Sequence, residues 1–280
     1  MSPPPTMIEP QHELDRRNQT FWSELCGSGL ARQLGITDAS RESLARFDHA
    51  YMALYPYLSR YVPADQLRGR RVVEIGLGYG TLGQLLAGVA SEYHGIDISP
   101  GPVAMMRHRL AQSGIARGSA VQGSALDLPL RDASVDFVYS IGCLHHTGDV
   151  GRSVEEIHRV LRPNGRAVIM LYNQHSFRRL VWAPLSYVRH GWFLQRRRPA
   201  LADFARASYD VDSQGAPAPH TDFHSRRDIR RLFRRFSSVT VESQNIDPWA
   251  VVGRIVIPRE RLLGSLGRIL GLDLYVVARK

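Results

Sequence analysis

Two adjacent histidines, His145 and His146 in "GCLHHTGD", are the residues best suited to proton chemistry in this sequence. An unperturbed imidazole titrates near pH ~6.5, so a neutral histidine can take the proton of a substrate hydroxyl at physiological pH. His220, Asp222 and His224 in "PHTDFH" have the types and spacing of a metal site or a His–Asp base pair, but the same residues also make an ordinary polar loop. No metal is expected. A third cluster is "VVEIGLGYGTLG", residues 72–83. From Glu74 it reads E-x-G-x-G-x-G through Gly76, Gly78 and Gly80; from Gly78 it reads G-x-G-x-x-G. Either pattern places glycine at a strand-to-helix turn, where the backbone approaches a nucleoside ligand and a helix N-terminus offers free N–H groups. Asp97 ends "YHGID" about 20 residues further on and suits either ligand's ribose hydroxyls.

These groups need a scaffold, and the hydrophobic pattern supplies one. From Arg70 onward short apolar strands alternate with helices, which predicts an α/β fold with a parallel sheet covered on both faces. Strands are expected at 71–75, 92–97, 118–122, 135–140 and 166–171, with helices near 80–90, 101–113 and 151–161. "SSVTVESQ" and "DLYVVARK" add two further strands around a short helix at 258–270. In "SRRDIRRLFRRF", Ile229, Leu232, Phe233 and Phe236 share one helix face, and Ser225 with Asp228 forms a plausible cap. Residues 1–19 are expected to be disordered, 20–65 to form an N-terminal helical lid, 66–172 the cofactor-binding core, 173–224 an insertion at the acceptor pocket, and 225–280 the rest of the core. Within the insertion, "FRRLVWAPLSYVRHGWFLQRRR" mixes apolar, aromatic and Arg residues, as an interfacial helix or a cap over a site would. The cap is the preferred reading.

The segments downstream choose between the two glycine patterns. "GSALDLPLRDASVDFVYSIGCLHH", followed by "EIHRVLRPNGRAVIMLYN", closely resembles the central block of the methyltransferase type 11 family of class I S-adenosylmethionine (SAM)-dependent methyltransferases. The resemblance spans roughly residues 70–172 and implies a Rossmann-like, seven-stranded, mostly parallel sheet with helices on both faces, carrying the N-terminal lid and the insertion after strand 5. Glu74 before the first glycine fits the same family, and the single lysine, Lys280, excludes the Tyr-x-x-x-Lys pair of a short-chain dehydrogenase. SAM is therefore the cofactor that the resemblance implies. Gly76, Gly78 and Gly80 would shape the loop around its methionine part with Glu74 steadying them, Asp97 would accept from the ribose, and Ser124 and Ala125 would border the adenine. Ser140 and Gly142 would face the methionine amino group and the sulfonium. Ser124 stands where the family has Asp and Leu126 where it has an acid, which leaves the Ser124 hydroxyl, Asp127 or backbone to meet the adenine.

The expected function is methyl transfer to a small-molecule acceptor, first of all a hydroxyl of a sugar or specialised metabolite, with His146 ahead of His145 as base. Tyr172 and Asn173 are expected near the acceptor. N- or C-methylation, an RNA or lipid-linked acceptor, and a non-catalytic SAM-binding module are the alternatives. The net charge of +10 would suit a polyanion, but nearly all of it is Arg and no binding module is legible, so nucleic acid is not expected as a partner. Peripheral membrane contact is allowed but not preferred. Cys26 and Cys143 lie outside any disulfide or zinc spacing, and the polar, Pro-rich N-terminus does not read as a signal peptide, so a cytoplasmic setting is expected.

Overall fold

A computed structural model describes residues 9–24, 29–191, 201–250 and 256–280. Seven strands form one sheet: β1 (Arg71–Ile75), β2 (Glu92–Asp97), β3 (Gly118–Gln122), β4 (Val135–Ile141), β5 (Leu161–Tyr172), β6 (Ser238–Gln244) and β7 (Asp273–Arg279). Their order is 3-2-1-4-5-7-6, and only β7 runs antiparallel to its neighbours, β5 and β6. The order reverses between β1 and β4, where both chains leave the carboxyl ends of their strands in opposite directions and open a crevice. Buried runs such as Val72-Val73-Glu74-Ile75 explain why these segments read as near-continuous apolar strands.

Each face of the sheet carries its own core. One packs Val150, Val154, Ile157 and Val160 of a helix at Val150–Val160, with Ile229, Phe233 and Phe236, against β4, β5 and β7. The Arg226–Leu232 helix there is closed by the expected capping box: the Ser225 hydroxyl accepts from the Asp228 amide, and the Asp228 carboxylate accepts from the Ser225 amide. The other core packs Leu82, Leu86 and Met106 of α3 (Thr81–Val89) and α4 (Pro100–Gln112) with Tyr57, Leu58 and Tyr61 from the N-terminal region.

Two expectations need correction. Chain order begins with a helix, α1, at Gln11–Ser23, so the expected disordered start is wrong from residue 11; residues 1–8 lie outside the described residues. This helix buries only Leu14 and Asn18 and is fastened by polar bonds, Gln11 Nε2 donating to the Thr147 carbonyl and Asn18 Nδ2 to that of His146. Too few of its residues are apolar to mark a buried face. The longest lid helix within 20–65, α2, spans Arg41–Leu54 behind a Ser40 cap. The expected helix at 258–270 is two short helices, Arg259–Leu263 and Leu266–Leu270, separated at Gly264-Ser265. In the insertion, Pro184 lies inside one continuous helical run, and the widened turn over Arg178–Trp182 just before Ala183–Gly191 accommodates the N–H it lacks.

Candidate active site

The crevice between β1 and β4 deepens into a cavity of about 320 Å³ bounded by the glycine loop, the ends of β2 and β4, and the lid helices. Gly76, Gly78 and Gly80 all take positive φ (83°, 50° and 77°). A side chain at Gly76 would also run into Cys143 from the loop after β4. The loop is thus shaped for backbone to form the cavity floor, and α3 begins directly after Gly80.

Two buried carboxyls frame this loop. Asp97 Oδ2 accepts from the Leu77 amide and Oδ1 from the Ser99 amide, both at 2.8 Å, so the side chain spans the floor from β2 and reaches the cavity wall. Burial raises its pKa to about 6 against the lowering effect of the two amides. Glu74, 2% exposed, accepts from the Tyr93 hydroxyl at 2.5 Å, and burial lifts its pKa to about 8, so it holds a proton at neutral pH. Gly83 has room for no side chain because that carboxyl and the Tyr93 hydroxyl sit against it.

On the next wall Gly123, Ser124 and Ala125 line the cavity opposite Ile98. The Ser124 hydroxyl accepts from the Leu126 amide at 3.2 Å and closes a small turn, while Asp127 is exposed and outside the cavity. Gly142 lines the cavity, with φ 80°. Ser140 does not: it is fully buried, its hydroxyl donating to the Ile75 carbonyl at 2.9 Å and tying β4 to β1.

The two histidines part company. Both fall in a tight turn at Leu144–His146, whose pitch sends adjacent side chains to different sides. His146 lines the cavity; His145 is wholly buried behind it, its ring 3.9 Å from that of Tyr172. Burial, followed by the neighbouring histidines His146, His224 and His220, holds the His145 pKa well below the ordinary range. His146 Nδ1 lies 2.7 Å from the His220 carbonyl, and since a carbonyl only accepts, Nδ1 carries the hydrogen. Nε2 is left with its lone pair, 3.6 Å from Asp210 Oδ2, on a ring packed against Trp22 at 4.7 Å. Burial outweighs Asp210 and keeps the ring neutral at physiological pH. Asp210 also accepts from the Tyr172 hydroxyl at 2.7 Å, and both line the cavity.

The "PHTDFH" segment acts through its main chain. The His220 carbonyl orients His146, the Asp222 amide donates to the His145 carbonyl, and the His224 amide to that of Tyr172. His220 and Asp222 do pair, at 3.0 Å, away from the cavity. The compact set of possible metal ligands among the described residues is instead His145, His146 and Asp210, whose ligand atoms lie within 4.8 Å of one another. Asn173 is structural, its amide donating to the Gly271 carbonyl. Cys143 lines the cavity as a thiol, burial pushing its pKa far up; Cys26 lies outside the described residues.

Sequence reasoning expected a lid but missed Asp210 and the aromatic residues that wall the cavity. Trp22, Phe47, Tyr51, Tyr55 and Tyr79 line the cavity, with Phe47 stacked on Tyr79 at 4.1 Å above the glycine loop. The lid is fastened there by Asp48, which takes both arms of the buried Arg109 guanidinium at 2.8 and 2.9 Å and the Thr81 hydroxyl at 2.6 Å. Only the aromatic periodicity of α2 hinted at this wall.

A seven-stranded sheet of this order, with an adenosine-sized cavity over a glycine loop and an acid at the end of β2, defines a nucleoside-cofactor fold of the SAM-binding type. Residues 73–169 match the family model for a methyltransferase domain. A probable SAM-dependent methyltransferase of Mycolicibacterium smegmatis is 36% identical over 114 residues, covering 41% of this chain and 42% of that protein. The ubiquinone biosynthesis O-methyltransferase of Azorhizobium caulinodans is 28% identical over 108 residues, 39% of this chain and 42% of that one. The chain thus matches less than half the length of these curated relatives. In fold it is similar to the YcgJ protein of Bacillus subtilis, with a TM-score of 0.53 at 18% identity over 81% of this chain and 98% of that one. The core of the chain is a class I SAM-dependent methyltransferase domain, and SAM is its cofactor.

Proposed function

We propose that the whole protein transfers the methyl group of SAM to a hydroxyl of a small-molecule acceptor, with His146 as general base. The observation that carries this reading is the His146 ring at the wall of the same cavity as Asp97 and the glycine loop, its Nδ1–H held on the His220 carbonyl and its buried Nε2 without a hydrogen-bond partner. Bound in that cavity, SAM supplies an electrophilic methyl on a sulfonium. The remaining work belongs to the chain. Asp97 would take the ribose hydroxyls, Gly76, Gly78 and Gly80 the methionine portion, and Ala125 with Ile98 the adenine faces. Glu74, buried below the loop, would steady it. Trp22, Tyr51, Tyr55 and Tyr172 would hold the acceptor and exclude water, which matters because in-line displacement depends on holding the nucleophile at near-attack distance. His146 Nε2 takes the hydroxyl proton, and the Asp210 carboxylate at 3.6 Å stabilises the imidazolium formed.

The relative from Azorhizobium caulinodans, named for O-methylation, is consistent with an oxygen acceptor. The test is turnover against a panel of hydroxylated acceptors. His146→Ala should lower kcat by roughly a hundredfold and leave S-adenosylhomocysteine affinity nearly unchanged. The native rate should be level through neutral pH and fall only in acid, because the lowered His146 pKa keeps the base unprotonated until the pH drops below the ordinary histidine range. Full activity in the variant would retire the base and favour an acceptor nitrogen or carbon that needs none.

A further inference from the structure

The amino end of the sheet, opposite the catalytic crevice, carries a second cavity. It is a polar cleft of about 440 Å³ between the short Ala64–Leu67 helix, the start of β1 and the turn at Pro163–Gly165, and Arg68, Arg70, Arg166 and Arg279 line it with Asp65 and Asp136. Strands β5 and β7 pair here with Arg166 directly opposite Arg279, so both side chains leave the same face. The next pair inward on that face is Val168 and Val277, which packs with the second core. Like charges directly opposed across an antiparallel pair destabilise it, so the register puts two guanidinium groups where the sheet itself gains nothing from them. Each is held by a neutral amide: Arg166 Nη1 donates to Gln66 Oε1 at 2.6 Å and Arg279 Nη2 to Asn164 Oδ1 at 3.0 Å. Among the described residues no carboxylate pairs with either.

The other charges do not cancel this pair. Arg68 is exposed, and among the described residues its side chain has no partner. Arg70 comes only within 4.0 Å of Asp136, whose carboxylate is already engaged by Arg162 at 3.3 Å and by the Arg71 amide at 2.9 Å. Four arginines against two aspartates leave a surplus of two positive charges in one concave site. A phosphate monoester brings about −1.5 to −2 near neutral pH and three strong acceptor oxygens, and the planar guanidinium fork fits such oxygens in pairs. A single carboxylate would leave half of the surplus unmatched. A nucleic-acid backbone is followed by a track of cations. Here the arginines converge on one cleft, and Asp65 stands among them.

We propose that this cleft binds the phosphate group of a small phosphorylated ligand, with the opposed Arg166 and Arg279 and the unpartnered Arg68 taking its oxygens. The site is separate from the cofactor cavity and does not rest on the methyl-transfer reading. The test is calorimetric titration of the full chain with inorganic phosphate at constant ionic strength, with and without saturating S-adenosylhomocysteine. Phosphate should bind saturably at one site, equally well in both conditions. The double variant Arg166→Gln, Arg279→Gln should weaken phosphate binding by at least about tenfold and keep native S-adenosylhomocysteine affinity. Its urea midpoint without phosphate should match or exceed the native one, because two opposed like charges are gone. Arg68→Ala removes an exposed side chain with no partner to lose, and should weaken phosphate severalfold at native stability. Absence of saturable binding, or equal binding by both variants, overturns the proposal. Displacement of phosphate by S-adenosylhomocysteine would place the anion in the cofactor cavity and overturn it too. A lower urea midpoint in the double variant would show that the opposed pair stabilises the sheet unaided, which removes the reason for an anion. Tighter binding of a single-stranded RNA oligonucleotide than of phosphate, lost in the double variant, would assign the cleft to nucleic acid instead.

Discussion

Replacing Asp97 by Asn tests the centre of the cofactor reading. Each carboxylate oxygen already accepts one backbone amide, from Leu77 and Ser99 at 2.8 Å, and each retains a lone pair for a ribose hydroxyl. The amide keeps one acceptor and turns its NH₂ toward a backbone donor, so one charge-assisted bond to ligand is lost and the other weakened. At about 1.5–3 kcal/mol for a bond to a charged group, S-adenosylhomocysteine affinity should fall by roughly 10- to 150-fold. The pKa of about 6 adds a second signature, since below it the native carboxyl takes a proton and loses acceptor capacity. Native affinity should therefore decline as the pH drops through about 6, by up to tenfold per pH unit, and the Asn variant should lack that slope. Isothermal titration calorimetry at a series of pH values reads both effects. Equal affinity in the variant, or the same slope, would remove Asp97 from the ribose site.

Two other outcomes follow from buried charge. Asp48→Ala leaves the Arg109 guanidinium, 3% exposed, without its carboxylate and frees α2 from α3 and α4; urea unfolding should show a loss of about 3 kcal/mol together with weaker S-adenosylhomocysteine binding, and unchanged stability would mean that the lid is held elsewhere. Glu74 and Asp273 are raised by burial to about 8 and about 7, above their ordinary range, so their contribution to stability is fully present in acid and is lost as pH rises through those values. The unfolded chain releases both protons near pH ~4 and the folded chain only as the pH passes about 7 and about 8, so unfolding free energy should fall across that whole window, by about 2 kcal/mol between pH 7 and pH 9, and level off above it; Glu74→Gln should remove most of this last fall. A flat or rising profile would contradict the buried protonated state.

The parts legible in the sequence are those where local chemistry and the global fold demand the same residues. Strands β1 and β2 end where their apolar runs end, because buried parallel strands admit little else, and Ser225 with Asp228 caps its helix through a purely local exchange. The glycine loop is legible for a similar reason: three positive-φ positions and a close approach to Cys143 leave few substitutes. Residues whose place depends on a distant partner were not legible. Ser140 lies near the end of a strand that reaches the site, yet its hydroxyl is spent on Ile75, and nothing in its type distinguishes that bond from one to a ligand. Asp210 is an ordinary acid in an irregular stretch until Tyr172 and His146 are beside it.

His145 and His146 carry this point to the mechanism. They are the same residue at adjacent positions, and one tight turn separates them into a buried ring against Tyr172 and a ring at the cavity wall. What would fit the second for its proposed role as base is not its own sequence neighbourhood but a carbonyl 74 positions later, which takes the hydrogen of Nδ1 and leaves the lone pair on Nε2. A segment that looks like a metal site in sequence thus meets the proposed base through its backbone. Because a backbone carbonyl survives substitution of the side chain it belongs to, His220→Ala should orient His146 as well as the native residue does, whereas shifting the chain at Pro219–Thr221 should not.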